Sequence, residues 1–155
     1  MKLSPISLSI GILAGIWTYV SITYGMLTWP TFVGWAIFFF LGANKEALIK
    51  AFPPVLVGLG LGYLTIVVNT ALKGNTLVLA VLVTVLAFIL TYMMNVSWLA
   101  AAPAAFAATA VFFGVGDPIK AGTPLIIGLL LGYISVWIVD ILVKQKNVKA
   151  EPEEK

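Results

Sequence analysis

The sequence predicts an all-α integral membrane protein with six transmembrane segments, arranged as two three-helix repeats. Hydrophobic residues make up 61% of the 155 positions and charged residues only 10%, whereas soluble domains are nearer ~45–50% apolar. Long uncharged runs of this kind are typical of helices in a bilayer. In addition, Lys50–Tyr63 returns seventy positions later as Lys120–Tyr133, with eight of fourteen residues identical. Because the matches include Lys, Pro, Gly and Tyr, they indicate an internal duplication.

Small residues recur at helical spacing in both copies. Within each, Pro, Gly and Gly stand at i, i+4 and i+8, so they share one helix face. The first segment carries a similar stripe of small residues. Close approach of membrane helices depends on such faces. We therefore expect six glycines to serve helix packing: Gly11, Gly15, Gly58, Gly62, Gly128 and Gly132.

The first repeat, residues 1–74, contains three predicted segments. The first runs from Pro5 to about Tyr24, and its apolar core is too long for a cleaved signal peptide. The second opens at Trp29-Pro30 and ends near Ala43. It has ~15 residues against the ~20 usual for a span, so it either crosses with little tilt or re-enters as a half-helix. The third runs from about Phe52 to Leu72, after a charged loop.

The second repeat, residues 75–143, follows the same plan. A smooth apolar helix is predicted from Thr76 to about Met94, and an Ala-rich segment containing Pro103 from Leu99 to Val115. After a second charged loop, the last helix runs from about Thr123 to Val143. Residues 144–155 are charged and lack aromatic side chains, which predicts a disordered cytoplasmic tail.

The lysines favour six crossings with both termini in the cytoplasm. This topology places seven lysines inside and two, Lys73 and Lys120, outside, as the positive-inside rule requires. Four crossings would leave three lysines outside and six inside. Because three crossings per repeat is an odd number, the two halves would be inverted about an axis in the membrane plane, as in many transporters.

Two resemblances follow from these segments. The run Trp29-Pro30-Thr31-Phe32-Val-Gly34-Trp35-Ala-Ile-Phe38-Phe39-Phe40, followed by the Pro-Pro and Gly-rich third segment, resembles a family of small bacterial inner-membrane proteins, domain of unknown function 1097. That resemblance implies a small multi-spanning protein and no settled activity. The chain is more loosely similar to urea-transporter half-repeats, in which Asn-Pro opens the short segment. Here Trp29-Pro30 and Ala102-Pro103 stand in that place.

The absence of ionisable groups from the segments excludes several functions. The chain has no Cys, His or Arg, and Asp140 is the one acid near a segment. Proton-coupled transporters use intramembrane carboxylates or histidines, and general acid–base catalysis needs a positioned titratable group. The net charge of +3 comes from lysines at membrane edges and in the tail. We therefore expect no enzyme activity, no cofactor, no metal site and no nucleic-acid partner.

Neutral polar groups remain as candidates for a solute pathway. Residues of this kind, with backbone groups freed near prolines, can line a narrow path. Alternatively, Thr and Ser bond within their own helices and Trp and Tyr form interface belts. The pathway candidates are Trp29, Pro30, Thr31, Asn69, Asn95, Ser97, Trp98, Pro103, Ala105 and Thr109.

The leading functional hypothesis is a homo-oligomeric passive channel or facilitator in the inner membrane. Its partners would be the lipid bilayer and a small neutral solute such as urea, an amide or a polyol. A non-transporting membrane subunit that packs against a partner protein is the second hypothesis. A coupled small-solute transporter is the third.

Overall fold

A computed structural model describes the backbone of residues 4–150 and the side chains of residues 4–143. Within that part every secondary-structure element is a helix, which confirms the predicted all-α class. Two three-residue 3-10 turns, Met93–Asn95 and Ser97–Leu99, separate the fourth helix from the fifth. The six α-helices are α1 (Pro5–Thr23), α2 (Trp29–Phe40), α3 (Lys45–Ala71), α4 (Thr76–Tyr92), α5 (Ala102–Val115) and α6 (Pro118–Ala150).

Four of these helices, α1, α3, α4 and α6, are long and apolar enough to cross a membrane. The middle helices are shorter, with 12 residues in α2 and 14 in α5. At 1.5 Å per residue they extend roughly 18 and 21 Å, against a hydrocarbon thickness of ~30 Å. Their shortness agrees with the sequence, and by length and composition the candidate spans are the four long helices.

Two helices begin earlier than the sequence predicts. The Asn44 side chain accepts a hydrogen bond from the backbone N–H of Ala47 at 2.8 Å, so α3 starts at Lys45 rather than near Phe52. Asp117 accepts the backbone N–H groups of residues 119 and 120 at 2.9 Å, so α6 starts at Pro118 rather than near Thr123. In both cases a capping side chain satisfies N–H groups that would otherwise lack partners. The predicted charged loops are therefore largely first helical turns.

The other end of α6 also differs from the prediction. The helix continues to Ala150, whereas the sequence predicts a disordered tail from residue 144. Residues 144–150 are mostly Lys, Gln and Ala. Because these residues are strong helix formers, the helix can extend beyond the apolar run. The rest of the predicted tail, residues 151–155, lies outside the described residues.

The core consists of two helix pairs. The most extensive packing is that of α2 along α6 and of α3 along α5, whereas α1 lies on α6 and α4 lies on α3. Each middle helix thus packs on the third helix of the other half of the chain. We call the α2–α6 contact the first seam and the α3–α5 contact the second seam.

Both seams join parallel helices. In the first, Gly34 lies against Leu125 and Phe38 lies one turn farther on, against Gly132. The second seam has the same order, with Gly58 against Ala105 and Gly62 against Phe112.

The two seams run in opposite directions. The start of α2, at Trp29, contacts the end of α5, at Gly114. Conversely, Phe40 near the end of α2 shares a cleft with Pro103 at the start of α5. Because α2 and α5 are antiparallel, α3 and α6 also run in opposite directions.

Candidate solute pathway

Two pockets lie at the ends of the four-helix core. The first, about 570 Å³, lies where α6 begins and is lined by Trp29, Val115, Ile119, Lys120 and Thr123 among others. We call it the α6 pocket.

The second pocket, about 470 Å³, lies where α3 begins and is here called the α3 pocket. Its lining includes Leu41, Ile49, Lys50, Pro53 and Trp98. Since α3 and α6 run in opposite directions, the two pockets open at opposite ends of the core.

The two pockets are lined by matching positions. Ile49, Lys50 and Pro53 stand seventy residues before Ile119, Lys120 and Thr123, and Leu41 stands seventy-four before Val115. Each pocket also has one tryptophan, Trp29 or Trp98. Each therefore combines one lysine and one indole with an apolar wall, the combination found at membrane–water interfaces.

Beside the α6 pocket, Asp117 is the nearest acid in the sequence. Its pKa is held below the ordinary value chiefly because the Lys120 backbone N–H donates to its carboxylate. That carboxylate is therefore ionised near neutral pH and acts as the helix cap.

Between the pockets, glycines hold the helices in close contact. A Cβ placed on Gly128 would collide with the Thr31 carbonyl oxygen, and one on Gly58 with the Ala105 carbonyl oxygen. One turn on, a Cβ on Gly62 would lie 2.9 Å from the Phe112 ring. These seams leave no room for a solute in the described conformation.

The aromatic residues that close the seams also correspond. Phe38 meets Tyr133 edge to face at 6.5 Å, and Phe112 meets Tyr63 in the same way at 6.1 Å. A Cβ on Gly132 would lie 2.6 Å from the Phe38 ring. Each seam therefore ends in a ring packed on the glycine face of the opposite helix.

Two of the glycines predicted to serve helix packing, Gly11 and Gly15, lie in neither seam. Among the described residues, no atom lies within 4 Å of a Cβ placed on Gly11 or Gly15. Their face of α1 is open to the surroundings, so any close approach there involves another molecule. The sequence analysis overlooked Gly34, whose Cβ would collide with the Leu125 carbonyl oxygen. It is the one glycine of α2 and has no glycine at i+4, the spacing that marked the others.

The pathway candidates fall into separate groups rather than one continuous line. Trp29 lines the α6 pocket, and Ser97 and Trp98 line the α3 pocket. Thr31 is buried in the first seam, together with Pro30. Ala105 and Thr109 are buried in the second seam.

The remaining three candidates lie away from these groups. Asn95 is exposed, and its side chain donates to the Tyr92 carbonyl oxygen at 3.0 Å. Pro103 is exposed at the first turn of α5. Asn69 has a buried Oδ1 that lies against the turn at Gly74.

The contacts also revise the comparison of the two prolines. Since Thr31 lies on Gly128 as Ala105 lies on Gly58, the middle helices correspond at a spacing of seventy-four. Pro30 then corresponds to Ala104, whereas the sequence comparison pairs it with Pro103. The burial of Pro30 and the exposure of Pro103 follow from this one-residue offset.

Most buried hydroxyls have hydrogen-bond partners. Thr109 Oγ1 donates to the carbonyl oxygen of Gly58 or Ala105, at 2.8 and 2.9 Å. Ser9 Oγ donates to the Ser135 carbonyl oxygen at 3.0 Å, tying α1 to α6. Sequence analysis overlooked Ser9, because nothing in the sequence distinguishes it from the other serines of α1, Ser7 and Ser21, as the one that bonds across helices.

Four buried polar atoms have no hydrogen-bond partner among the described residues: Trp17 Nε1, Thr31 Oγ1, Trp35 Nε1 and Asn69 Oδ1. The two indoles were not among the pathway candidates. The sequence could have indicated them by their position, because they lie inside apolar segments rather than at the membrane interface, where tryptophan is usually found.

Within the described residues there is no group of three or more His, Cys, Asp or Glu side chains that could hold a metal ion.

Comparison with known proteins identifies relatives across almost the whole chain. Residues 7–140 match the family described as protein of unknown function (DUF1097). A relative in Escherichia coli (strain K12), named inner membrane protein YcdZ, is 31% identical over 135 residues, which cover 84% of this chain and 82% of the relative. Its namesake in Salmonella typhimurium is also 31% identical, with 84% and 83% covered. No solved structure matches the chain.

Proposed function

The chain belongs to the DUF1097 family and is a multi-pass inner membrane protein, and we propose that it is a passive facilitator for a small neutral solute. The solutes considered are urea, a short amide or a polyol. The bilayer is the protein's surroundings, and the α3 and α6 pockets would be the two openings of the path.

The observation that carries this proposal is the pair of matching pockets at opposite ends of an uncharged core. In the described part of the chain, the seams contain no charged side chain. Asp140 lies three residues before the end of the apolar span of α6 at Val143. The other charged residues occur near helix ends: Lys45, Glu46, Lys50, Lys73, Asp117 and Lys120. An ion in a low-dielectric interior needs a charged or strongly polar partner. An uncharged interior therefore favours a neutral solute and argues against proton coupling.

The proposed architecture is an inverted duplication with both termini in the cytoplasm. Its support is the exchange of middle helices between halves, the matching contacts in the two seams and the opposite directions of the seams. With α2 and α5 counted as crossings, the α3 pocket faces the cytoplasm and the α6 pocket faces the opposite side. Passage would then require the seams to separate in turn, as in alternating access. We place the interface for homo-oligomerisation on the open glycine face of α1.

A non-transporting subunit is the second candidate, and two specific observations favour it. The seams are closed, and Gly11 and Gly15 leave a face of α1 without a partner in the described chain. Small-residue faces of this kind receive helices from other proteins as readily as from a second copy. A coupled transporter is the third candidate, and it would need Asp140 as its intramembrane acid.

Solute efflux from liposomes containing only this protein tests the proposal. Urea, acetamide and glycerol should leave faster than from protein-free liposomes. The rate should not change between about pH 5.5 and 8, because no side chain in the seams titrates there. It should also be independent of membrane potential, because a neutral solute moves no charge through the field.

A labelling experiment connects any flux to the α3 pocket. The chain contains no cysteine, so Ser97→Cys can be modified selectively with a bulky maleimide. Because Ser97 lines the pocket and exposed Asn95 does not, modification should lower flux for Ser97→Cys and leave flux unchanged for Asn95→Cys.

The outcomes separate the three candidates. No flux above the protein-free rate would favour the non-transporting subunit. A strong dependence on pH or potential that is abolished by Asp140→Asn would favour the coupled transporter. The same dependence surviving that substitution would contradict the argument from missing charges.

A further inference from the structure

The two seams differ in their hydrogen bonding. In the second seam, the Thr109 hydroxyl is bonded to backbone carbonyl groups, and the position matching Thr31 is Ala105, which has no polar side chain. In the first seam, Thr31 is 0% exposed and Trp35 is 4% exposed. Thr31 Oγ1 and Trp35 Nε1 have no hydrogen-bond partner in the described chain. A buried donor without a partner is costly, so such groups in a native protein call for an explanation.

The position of Thr31 explains why its hydroxyl is not bonded within its own helix. Thr18, Thr65 and Thr109 all donate to the carbonyl oxygen four residues earlier. For Thr31 that carbonyl belongs to Leu27, which precedes the first residue of α2. The usual back-bond is therefore missing because Thr31 lies in the first turn.

Trp35 lies on the same helix face as Thr31, one turn later. Both residues contact Gly128: a Cβ built there would collide with the Thr31 carbonyl oxygen and lie 2.9 Å from the Trp35 backbone nitrogen. Trp35 is also held by ring stacking on Phe32, with centroids 6.3 Å apart.

A third buried donor without a partner, the indole N–H of Trp17, belongs to α1. Helix α1 packs mainly on α6 and runs antiparallel to it, with Ser9 bonded to the Ser135 carbonyl oxygen. Trp17 lies eight residues farther along α1, or about 12 Å at 1.5 Å per residue. That distance places the backbone of Trp17, whose side chain is buried, level with Gly128.

We infer that Trp17, Thr31 and Trp35 form a donor site beside Gly128 that binds the carbonyl oxygen of a neutral solute. The inference rests on the proposed function and narrows its substrate class to urea-like and amide-like molecules. The site lies just beneath the α6 pocket, because Trp29 and Pro124 of the pocket lining are two and four residues from Thr31 and Gly128. The solute would enter oxygen first when the first seam loosens.

The chemistry of the three donors selects the ligand. An indole N–H can only donate, and a carbonyl oxygen, with two lone pairs, can accept from two of the three donors at once. The N–H groups of an amide or urea can stay in the water of the α6 pocket while the oxygen enters. A polyol hydroxyl that enters must also donate, and among the three side chains only Thr31 Oγ1 can accept, so a polyol satisfies the site less well than a carbonyl oxygen does. The site should therefore prefer acetamide and urea to glycerol.

Nuclear magnetic resonance of the full chain in nanodiscs, with ¹⁵N in the indole nitrogens, tests the site without relying on transport. The five tryptophan signals are assigned by Trp→Phe substitutions, and acetamide, urea and glycerol are titrated separately. Acetamide and urea should move the signals of Trp17 and Trp35 saturably. Trp137, which is 52% exposed, is the internal control and should not move with them.

Matched substitutions identify the contribution of the hydroxyl. Thr31→Val should weaken the apparent Kd for acetamide by about fivefold, the equivalent of one hydrogen bond of ~1 kcal/mol. Thr65→Val removes a buried hydroxyl that is bonded to the Leu61 carbonyl oxygen, and should leave that Kd unchanged. If Thr31→Val fails to fold, the Trp35 signal in the unmodified protein still decides the question.

The outcomes distinguish the site from the facilitator. Saturable shifts at Trp17 and Trp35 without any flux would uphold the donor site and reject facilitated transport. Flux of urea or acetamide with no change in either signal would reject the site and leave the facilitator standing. Equal shifts with glycerol would overturn the preference for a carbonyl oxygen.

Discussion

Two glycines on α3, only two residues apart, should respond in opposite ways to alanine. A Cβ on Gly60 would meet no atom within 4 Å, whereas one on Gly58 would collide with the Ala105 carbonyl oxygen and lie 2.9 Å from the Ala105 Cα. Gly60→Ala should therefore stabilise the protein by up to about 1 kcal/mol through helix propensity. Backbone atoms cannot rotate aside, so Gly58→Ala must push α3 and α5 apart.

The expected cost at Gly58 can be estimated from the contacts. Overpacking costs about 1–3 kcal/mol. Separation of the helices would also weaken the 2.8 Å bond from Thr109 to the Gly58 carbonyl oxygen, worth about 1 kcal/mol. Since both substitutions gain the same helix propensity, that contribution cancels, and Gly58→Ala should be less stable than Gly60→Ala by about 2–4 kcal/mol.

Equilibrium unfolding by sodium dodecyl sulfate in mixed micelles, followed by tryptophan fluorescence and circular dichroism, measures this difference. Gly128→Ala repeats the test in the first seam, since a Cβ there would collide with the Thr31 carbonyl oxygen, and Gly60→Ala again serves as the reference. Equal stabilities of Gly58→Ala and Gly60→Ala would refute the reasoning, because the second seam would then have room for a methyl group.

Three further predictions concern helix caps and topology. Asn44→Ala should destabilise the protein by about 1 kcal/mol, because the side chain accepts a hydrogen bond from the Ala47 N–H and caps α3. Asn95→Ala, at an exposed site, should not. Equal effects of the two substitutions in thermal unfolding would reject Asn44 as the cap. The pKa of Asp117 lies below its ordinary 3.8, chiefly because of the bond from the residue 120 backbone N–H. Stabilisation by this cap is therefore complete above about pH 4 and lost as pH falls through the folded-state pKa. Asp117→Ala should remove that component of acid unfolding, and an unchanged acid limb would show that the cap contributes nothing. Cysteines introduced singly at Glu46 and Asp117 should react with impermeant maleimide from opposite sides of the membrane, whereas labelling from one side would rule out the inverted topology.

The rings that close the two seams allow each seam to open independently of the other. Each seam ends in a phenylalanine packed on a glycine of the opposite helix, Phe38 on Gly132 and Phe112 on Gly62. If the facilitator proposal holds, opening one end need not disturb the other, because the two rings belong to different helix pairs. The donor site would then be exposed through the α6 pocket while the α3 pocket remains closed.

The sequence by itself determined the class of protein and its helical segments. Apolar content and long uncharged runs can be satisfied only by buried or lipid-facing helices, because backbone polar groups must bond internally in a bilayer. Six helices follow, and the shortness of α2 and α5 is visible as residue counts. The helix starts at Lys45 and Pro118 were harder to predict, since charged residues concealed the caps at Asn44 and Asp117. Both caps are nevertheless local features that could have been recognised.

Only the tertiary structure decided which helices meet and which polar groups are bonded. Glycine spacing marks a contact face but does not name the partner, and here Gly128 meets α2 while Gly58 meets α5. Thr31 and Thr109 look alike in sequence, yet Thr109 reaches the Gly58 carbonyl oxygen and Thr31 Oγ1 has no partner in the described chain. The physical reason is that composition and periodicity record interactions within a few residues, whereas the partner of a buried face depends on the shape of a helix distant in the chain.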